Sequence, residues 1–147
     1  HVFLTWDAGR CVGATGRKQN AKVDGPKWYI YNKSGGQPLV VPQYGVTGFP
    51  DYSKSYRTGV VVEDGASASA VSCVADGVAL LGTYLQPNYM SILSQYNTLI
   101  MALDPDAIVK SLAMQKELEF YVDKVRVVMI SDDLKYMTPD QVQWEIM

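Results

Sequence analysis

The sequence predicts an α/β fold: a parallel sheet flanked by helices, preceded by a small, basic, mostly-β subdomain. Three observations predict it. From residue 59 onward, short apolar runs alternate with stretches of helical spacing, the pattern of a parallel sheet covered on both faces. Before that point the chain is strand-like, then rich in Gly, Pro, Ser and Tyr. The charges divide at the same place. Residues 1–57 carry Arg10, Arg17, Lys18, Lys22, Lys27, Lys33, Lys54 and Arg57 against Asp7, Asp24 and Asp51, and most acids lie beyond residue 60. That asymmetry suggests an anion-binding first part and a cation-binding second part. The expected boundaries are 1–57 for the basic subdomain with its connecting loop and 58–147 for the sheet domain.

In the first part, residues 2–6 (VFLTW) read as a strand, 7–9 as a turn and 10–14 as a returning strand. A polar loop follows Gly16-Arg17-Lys18, and 26–31 (PKWYIY) read as another strand. Its Trp28, Tyr29 and Tyr31 either alternate between core and surface or stack on bases, worth about 1 to 3 kcal/mol each in the second case. Residues 32–56 read as an irregular connection with one short strand at Leu39–Val41. A loop of that length is functional or marks a subdomain boundary.

In the second part, 59–63 (GVVVE) is a β-branched run ending in an acid, and 66–75 is small and apolar at helical spacing until Asp76-Gly77 stops it. A buried strand follows at 78–81, closed by Gly82-Thr83, and then a helix at 87–96 with Pro87 near its first turn. The next strand, 98–103, runs into Asp104-Pro105-Asp106. An amphipathic helix at 107–120 is expected to turn Ile108, Leu112 and Leu118 toward the sheet, and 125–130 read as the last strand. Thr138-Pro139-Asp140-Gln141 is a helix start, with Thr138 as the cap.

Bulk properties narrow the classes. A chain of 147 residues with formal net charge −2 is large enough for a real core and does not announce nucleic-acid binding. Acids grouped at a metal site can, however, mask a local basic face. Cys11 and Cys73 lie far apart, near no second thiol or histidine, so no zinc motif is present. A reduced, cytoplasmic setting is the default, with a single disulfide as the alternative. No apolar run approaches a membrane span and no signal peptide is evident. The first residue is His1 rather than methionine, which points to a chain trimmed from a longer one. Copper chelation by that histidine needs a second one, and the chain has a single His.

In a parallel sheet the strand ends gather on one rim, where ligands bind. Glu63, Asp104 with Asp106, and Asp132 with Asp133 all follow predicted strands. Carboxylates crowded on one rim repel each other unless a cation neutralises them, and an all-oxygen set suits Mg²⁺ or Mn²⁺. Glu63 can alternatively serve as a general base, and Asp132 and Asp133 as caps of a following helix. The small residues after Gly65 permit close backbone approach, but no Gly-Lys-Ser/Thr follows, so no Walker-type phosphate loop is present. Ser67, Ser69 and Ser72 have no histidine within the domain to activate them, which argues against serine-hydrolase chemistry.

The segments Val60-Val-Val-Glu63-Asp-Gly-Ala-Ser67-Ala, Ala79-Leu-Leu-Gly-Thr83 and Leu103-Asp-Pro-Asp-Ala107 together resemble a Toprim domain, the metal-binding module of DnaG-type primases, topoisomerases and some nucleases. Trp6-Asp7-Ala-Gly9-Arg10-Cys-Val-Gly13-Ala-Thr-Gly16-Arg17, followed by Gly25-Pro26-Lys27-Trp28, is similar to the segment just before Toprim in DnaG-type primases. The Val-Glu-Asp…Ser-Ala and Leu-Leu-Gly-Thr forms look closest to phage-encoded versions. The resemblance covers nearly the whole chain. Two departures stand out: Asp64 occupies a position that is usually Gly, and Ala107-Ile108 replaces a common Ala-Gly.

The resemblance implies a primase catalytic core, a nucleotidyltransferase that makes short RNA primers on a single-stranded DNA template. It implies Glu63, Asp104 and Asp106 as catalytic and metal-holding acids, Asp133 as the later metal acid and Asp132 as its substitute. Arg17 and Lys27 match basic positions for nucleotide or template, Lys18 and Lys22 lie near them, and Lys110 follows the Asp-x-Asp strand where the family often has a basic residue. Mg²⁺ or Mn²⁺ is the implied cofactor. Ribonucleoside triphosphates and a replicative helicase, fused or separate, are the implied partners, and a bacterial host cytoplasm is the implied location for a phage protein. A zinc module usually precedes such cores and is not in this sequence, so weak priming by the chain alone is expected. The alternatives are a Toprim nuclease and a non-catalytic assembly factor that binds DNA or a helicase.

Overall fold

The computed structural model describes residues 2–7, 10–19, 28–32, 38–43 and 57–147. Three antiparallel strands, β1 (Val2–Asp7), β2 (Arg10–Arg17) and β3 (Trp28–Asn32), form a small sheet in the order β1-β2-β3. A bulge between Thr5 and Trp6 shifts the β1–β2 register before Asp7 meets Arg10. Among the described residues of the first part these three strands make up the small sheet, and Arg17 ends β2.

The second sheet has five strands in the order β4-β6-β5-β7-β8. These are β4 (Leu39–Val41), β5 (Thr58–Val62), β6 (Asp76–Ala79), β7 (Thr98–Met101) and β8 (Lys124–Val127). The last four run parallel, and β4 adds an antiparallel edge on β6. The sheet is therefore mixed rather than wholly parallel. The short strand at Leu39–Val41, expected inside the irregular connection, belongs to the large sheet, where Leu39 is completely buried.

Strand alternation divides the core in two. Val61, Val78, Leu99 and Met101 face one side, where they meet α2 (Met90–Leu93) and α3 (Ile108–Leu118) through Leu93, Met114 and Leu118. Val60, Val62, Ala79 and Ile100 face the other, against Ala68 and Val71 of α1 (Gly65–Val71) and Val142 and Ile146 of α4 (Pro139–Ile146). Both faces of β5 are covered, which is why its sequence is an unbroken valine run. Gly77 lets α1 lie against β6, because a Cβ there would stand 2.1 Å from the Ala68 carbonyl oxygen.

Helix boundaries differ from the sequence expectation where local polar groups compete with the backbone. The helix expected at 87–96 shrinks to a 3₁₀ turn at Pro87–Tyr89 and the single turn of α2. There the Ser91 hydroxyl donates to the Asn88 carbonyl and the Gln95 amide to the Ser91 carbonyl. On α3 the buried positions are Ser111, Met114 and Leu118, whereas Leu112 is 47 % exposed. Leu112 sits about 100° around the helix from Ser111, and the small serine takes the inner position. The expected start of α4 is present as a full capping box between Thr138 and Gln141. No disulfide joins Cys11 and Cys73, and among the described residues no helix is long and apolar enough to cross a membrane.

Candidate active site at the carboxyl rim of the sheet

The strand order places the acids. From β5 the chain turns to α1 on one face, and from the neighbouring β7 it turns to α3 on the other. Two adjacent parallel strands whose connections leave in opposite directions open a crevice at their carboxyl ends, the usual ligand position in open α/β sheets. Glu63 follows β5 and Asp104 follows β7 there, and the backbone N–H of Ala102 donates to the Val61 carbonyl to hold the two ends in register. Glu63 and Asp104 are separated by one strand in the chain order and by none in the sheet.

The electrostatics are those of a strained acidic cluster. Burial, then the Asp104 carboxylate, pushes the Glu63 carboxyl from 4.5 up to about 7, with Asp106 and Asp64 adding repulsion and the Asp104 backbone N–H opposing it. Burial, then Asp133, also raises Asp104, while Lys135 works in the other direction. Asp106 is exposed on the 3₁₀ turn Pro105–Ala107 and repels both. Asp133 acts on Asp104, so it stands on the same rim. Asp132 instead accepts the Asp133 backbone N–H at 2.7 Å and helps to line a surface groove of about 480 Å³ with Tyr136, Met137 and Trp144.

The predicted basic residues are distributed differently. Lys110, in the first turn of α3, donates to the Thr83 hydroxyl at 2.9 Å and stands 4.8 Å from the centre of the Tyr84 ring. It therefore sits on the rim where β6 and β7 end. Lys18 lies just past β2 and is partly exposed. Lys22 and Lys27 lie outside the described residues.

Two residues at this rim carry roles the sequence reading did not assign. Asp64 is the N-cap of α1: its Oδ1 accepts the Ser67 N–H at 2.8 Å, and its Oδ2 pairs with Lys135 Nζ at 3.0 Å. The cap hydrogen bond and Lys135 hold its carboxyl below the usual range despite burial. An acid directly before a run of small helix-forming residues is the signal for that cap. Lys135 also reaches Asp133 Oδ2 at 3.3 Å. The contact to Asp64 spans 71 positions of sequence, and only the packing of α1 against the turn Leu134–Tyr136 creates it.

The donors suit a hard divalent cation. They are carboxylate oxygens, and Glu63 Oε1 is buried without a hydrogen-bond partner, a position whose cost a bound cation would remove. Among the described residues no three acids stand close enough to close a cage by themselves. The cluster is open, with Lys135 as its cation.

A pH dependence follows from Glu63. The unfolded carboxyl titrates near 4.5 and the folded one near 7, so between those values the folded state binds more protons and stability falls as pH rises. Solvent reaching the rim limits the loss to about 1 to 2 kcal/mol. Asp64 has the opposite sign: its depressed pKa adds stability above its ordinary 3.8 that is lost as pH falls. Melting temperature in chelated buffer should thus decline from pH 5 to pH 7.5, and Glu63→Gln should flatten the decline. A flat wild-type profile over that window would contradict the burial of Glu63.

The DnaG catalytic core is similar in structure, with a TM-score of 0.65 at 17 % sequence identity, covering 99 % of this chain. The chain spans 52 % of that structure, about half its length. No protein-family model matches the sequence, and no curated protein matches it. The fold is therefore shared with the DnaG catalytic core over nearly the whole of this chain.

Proposed function

We propose that this DnaG-like fold is the Toprim-containing catalytic core of a phage-type DNA primase, which synthesises short RNA primers on single-stranded DNA. The observation that carries the reading is the pairing of Glu63 with Asp104 at the switch point of the sheet, with Asp106 and Asp133 close enough to perturb them. Similarity to the DnaG catalytic core supports it.

On this reading Glu63, Asp104, Asp106 and Asp133 hold Mg²⁺ or Mn²⁺, and Asp132 belongs to the neighbouring groove. The bound ion supplies charge neutralisation for triphosphate and for the pentavalent phosphorus. The protein's own part is positioning. Glu63 and Asp104 follow adjacent, paired strands, and a carboxylate of this rim that is not ligating the ion would take the proton of an attacking 3′-hydroxyl. That oxygen attacks the α-phosphate of the next nucleotide, a P–O bond forms, and pyrophosphate leaves. Lys110 offers a cation beside the crevice for a phosphate, while Arg17 and Lys18, with Lys22 and Lys27, supply the basic first part for nucleotide or template. Binding that relies on so few cations should be weak and salt-sensitive. A helicase, fused or separate, is the expected partner, in a bacterial host cytoplasm if the gene is phage-borne.

The test is a single-stranded DNA template with ribonucleoside triphosphates and Mg²⁺ or Mn²⁺. Short RNA products are expected. Cleavage of the template would indicate a Toprim nuclease, and binding without either product would indicate an assembly factor.

A further inference from the structure

We propose that Lys135 is an internal counter-cation of the acidic rim, and that a divalent ion must displace its ammonium to bind. Lys135 thereby sets the divalent-ion concentration at which the site fills. The inference rests on the metal-binding reading above and concerns the regulation of that same site.

The geometry is specific. Lys135 Nζ bridges Asp64 Oδ2 at 3.0 Å and Asp133 Oδ2 at 3.3 Å, with about a fifth to a quarter of each of the three side chains exposed. The backbone that carries Lys135 is anchored, because Leu134 is 1 % exposed in the second core and the turn closes through Tyr136 N–H to the Asp133 carbonyl. Asp64 is already committed to capping α1 through its other oxygen. Asp133, which the metal-binding reading assigns to the ion, is the carboxylate whose partner would change. The ammonium thus occupies Asp133 Oδ2, an oxygen of an acid assigned to the ion on that reading.

A monovalent cation fixed among these carboxylates has two opposing consequences. It relieves their repulsion when no divalent ion is bound, and it repels a dication at short range. The ammonium already lies 5.5 Å from the centre of the Tyr136 ring, within cation–π range, on a ring that is 73 % exposed, so this contact remains to it when Asp133 takes another partner.

The experiment measures Mn²⁺ affinity calorimetrically, together with thermal unfolding in chelated buffer, for wild type, Lys135→Met, Lys135→Arg and Glu63→Gln. Lys135→Met keeps the aliphatic stem. It should lower the melting temperature without metal and tighten Mn²⁺ binding by roughly tenfold, while Lys135→Arg should bind close to wild type. Weaker binding by Glu63→Gln locates the ion at this rim. With that result, a Lys135→Met affinity no tighter than wild type overturns the counter-cation role alone, as does equal tightening by Lys135→Arg. If Glu63→Gln binds Mn²⁺ as wild type does, the metal-site reading falls and this inference falls with it.

Discussion

Asp104→Asn is expected to lower primer synthesis by roughly a hundredfold or more, while leaving the melting temperature unchanged or slightly higher. The two signs come from one cause. Asp104 is partly buried among Asp106, Asp133 and Glu63, and burial and repulsion both disfavour its charge. Its side chain caps nothing: the turn that follows is closed by the Ala107 N–H on the Asp104 backbone carbonyl, which asparagine retains. Removing the charge thus relieves the folded state and, on the proposed metal-binding reading, deprives the rim of a cation ligand. A structural acid would show the reverse, a loss of stability with activity following it. Primer yield per folded molecule, measured beside thermal unfolding, distinguishes the two. Full activity in Asp104→Asn would refute metal-assisted catalysis at this site.

The parts of the fold that could be read from the sequence are those whose cause is local. The valine run of β5 and the apolar run of β7 can only be strands buried on both faces, and the acids after them fall at the rim by topology alone. The cap of α4 is written in four consecutive residues. The parts that could not be read depend on partners distant in sequence. Nothing in Leu39–Val41 says that it will pair antiparallel with β6 rather than stay in a connection. Lys135 looks like a surface lysine in a turn until α1 brings Asp64 to it. Leu112 looks like core until the small Ser111 takes the inner position on α3.

Arg57 is the sharpest case, and it carries the second large expected effect. By sequence it is one more cation in the basic first part. In the structure its guanidinium pairs with Asp76 Oδ2 at 2.5 Å, lies 4.8 Å from the centre of the Tyr96 ring, and its backbone N–H donates to Asn97 Oδ1. Asp76 also accepts the Tyr96 hydroxyl at 2.9 Å and the Gln43 N–H at 2.7 Å. The carboxylate thus ties β6 to the edge segment after β4, to the start of β5 and to the segment before β7. Asp76→Ala would remove the shared acceptor of a guanidinium, a phenol and a backbone N–H, and should cost about 3 kcal/mol in chemical denaturation. Tyr96→Phe removes one hydrogen bond but keeps the ring under Arg57, and should cost about 1 kcal/mol. Because these groups share one acceptor, the double variant should lose less than the sum. Asp76 opens β6 at the amino end, across the sheet from the acids, so Mn²⁺ affinity should not change in either variant. A loss below about 1 kcal/mol for Asp76→Ala would show that water replaces the carboxylate at little cost. A weakened metal site would show that the two rims are coupled through the sheet.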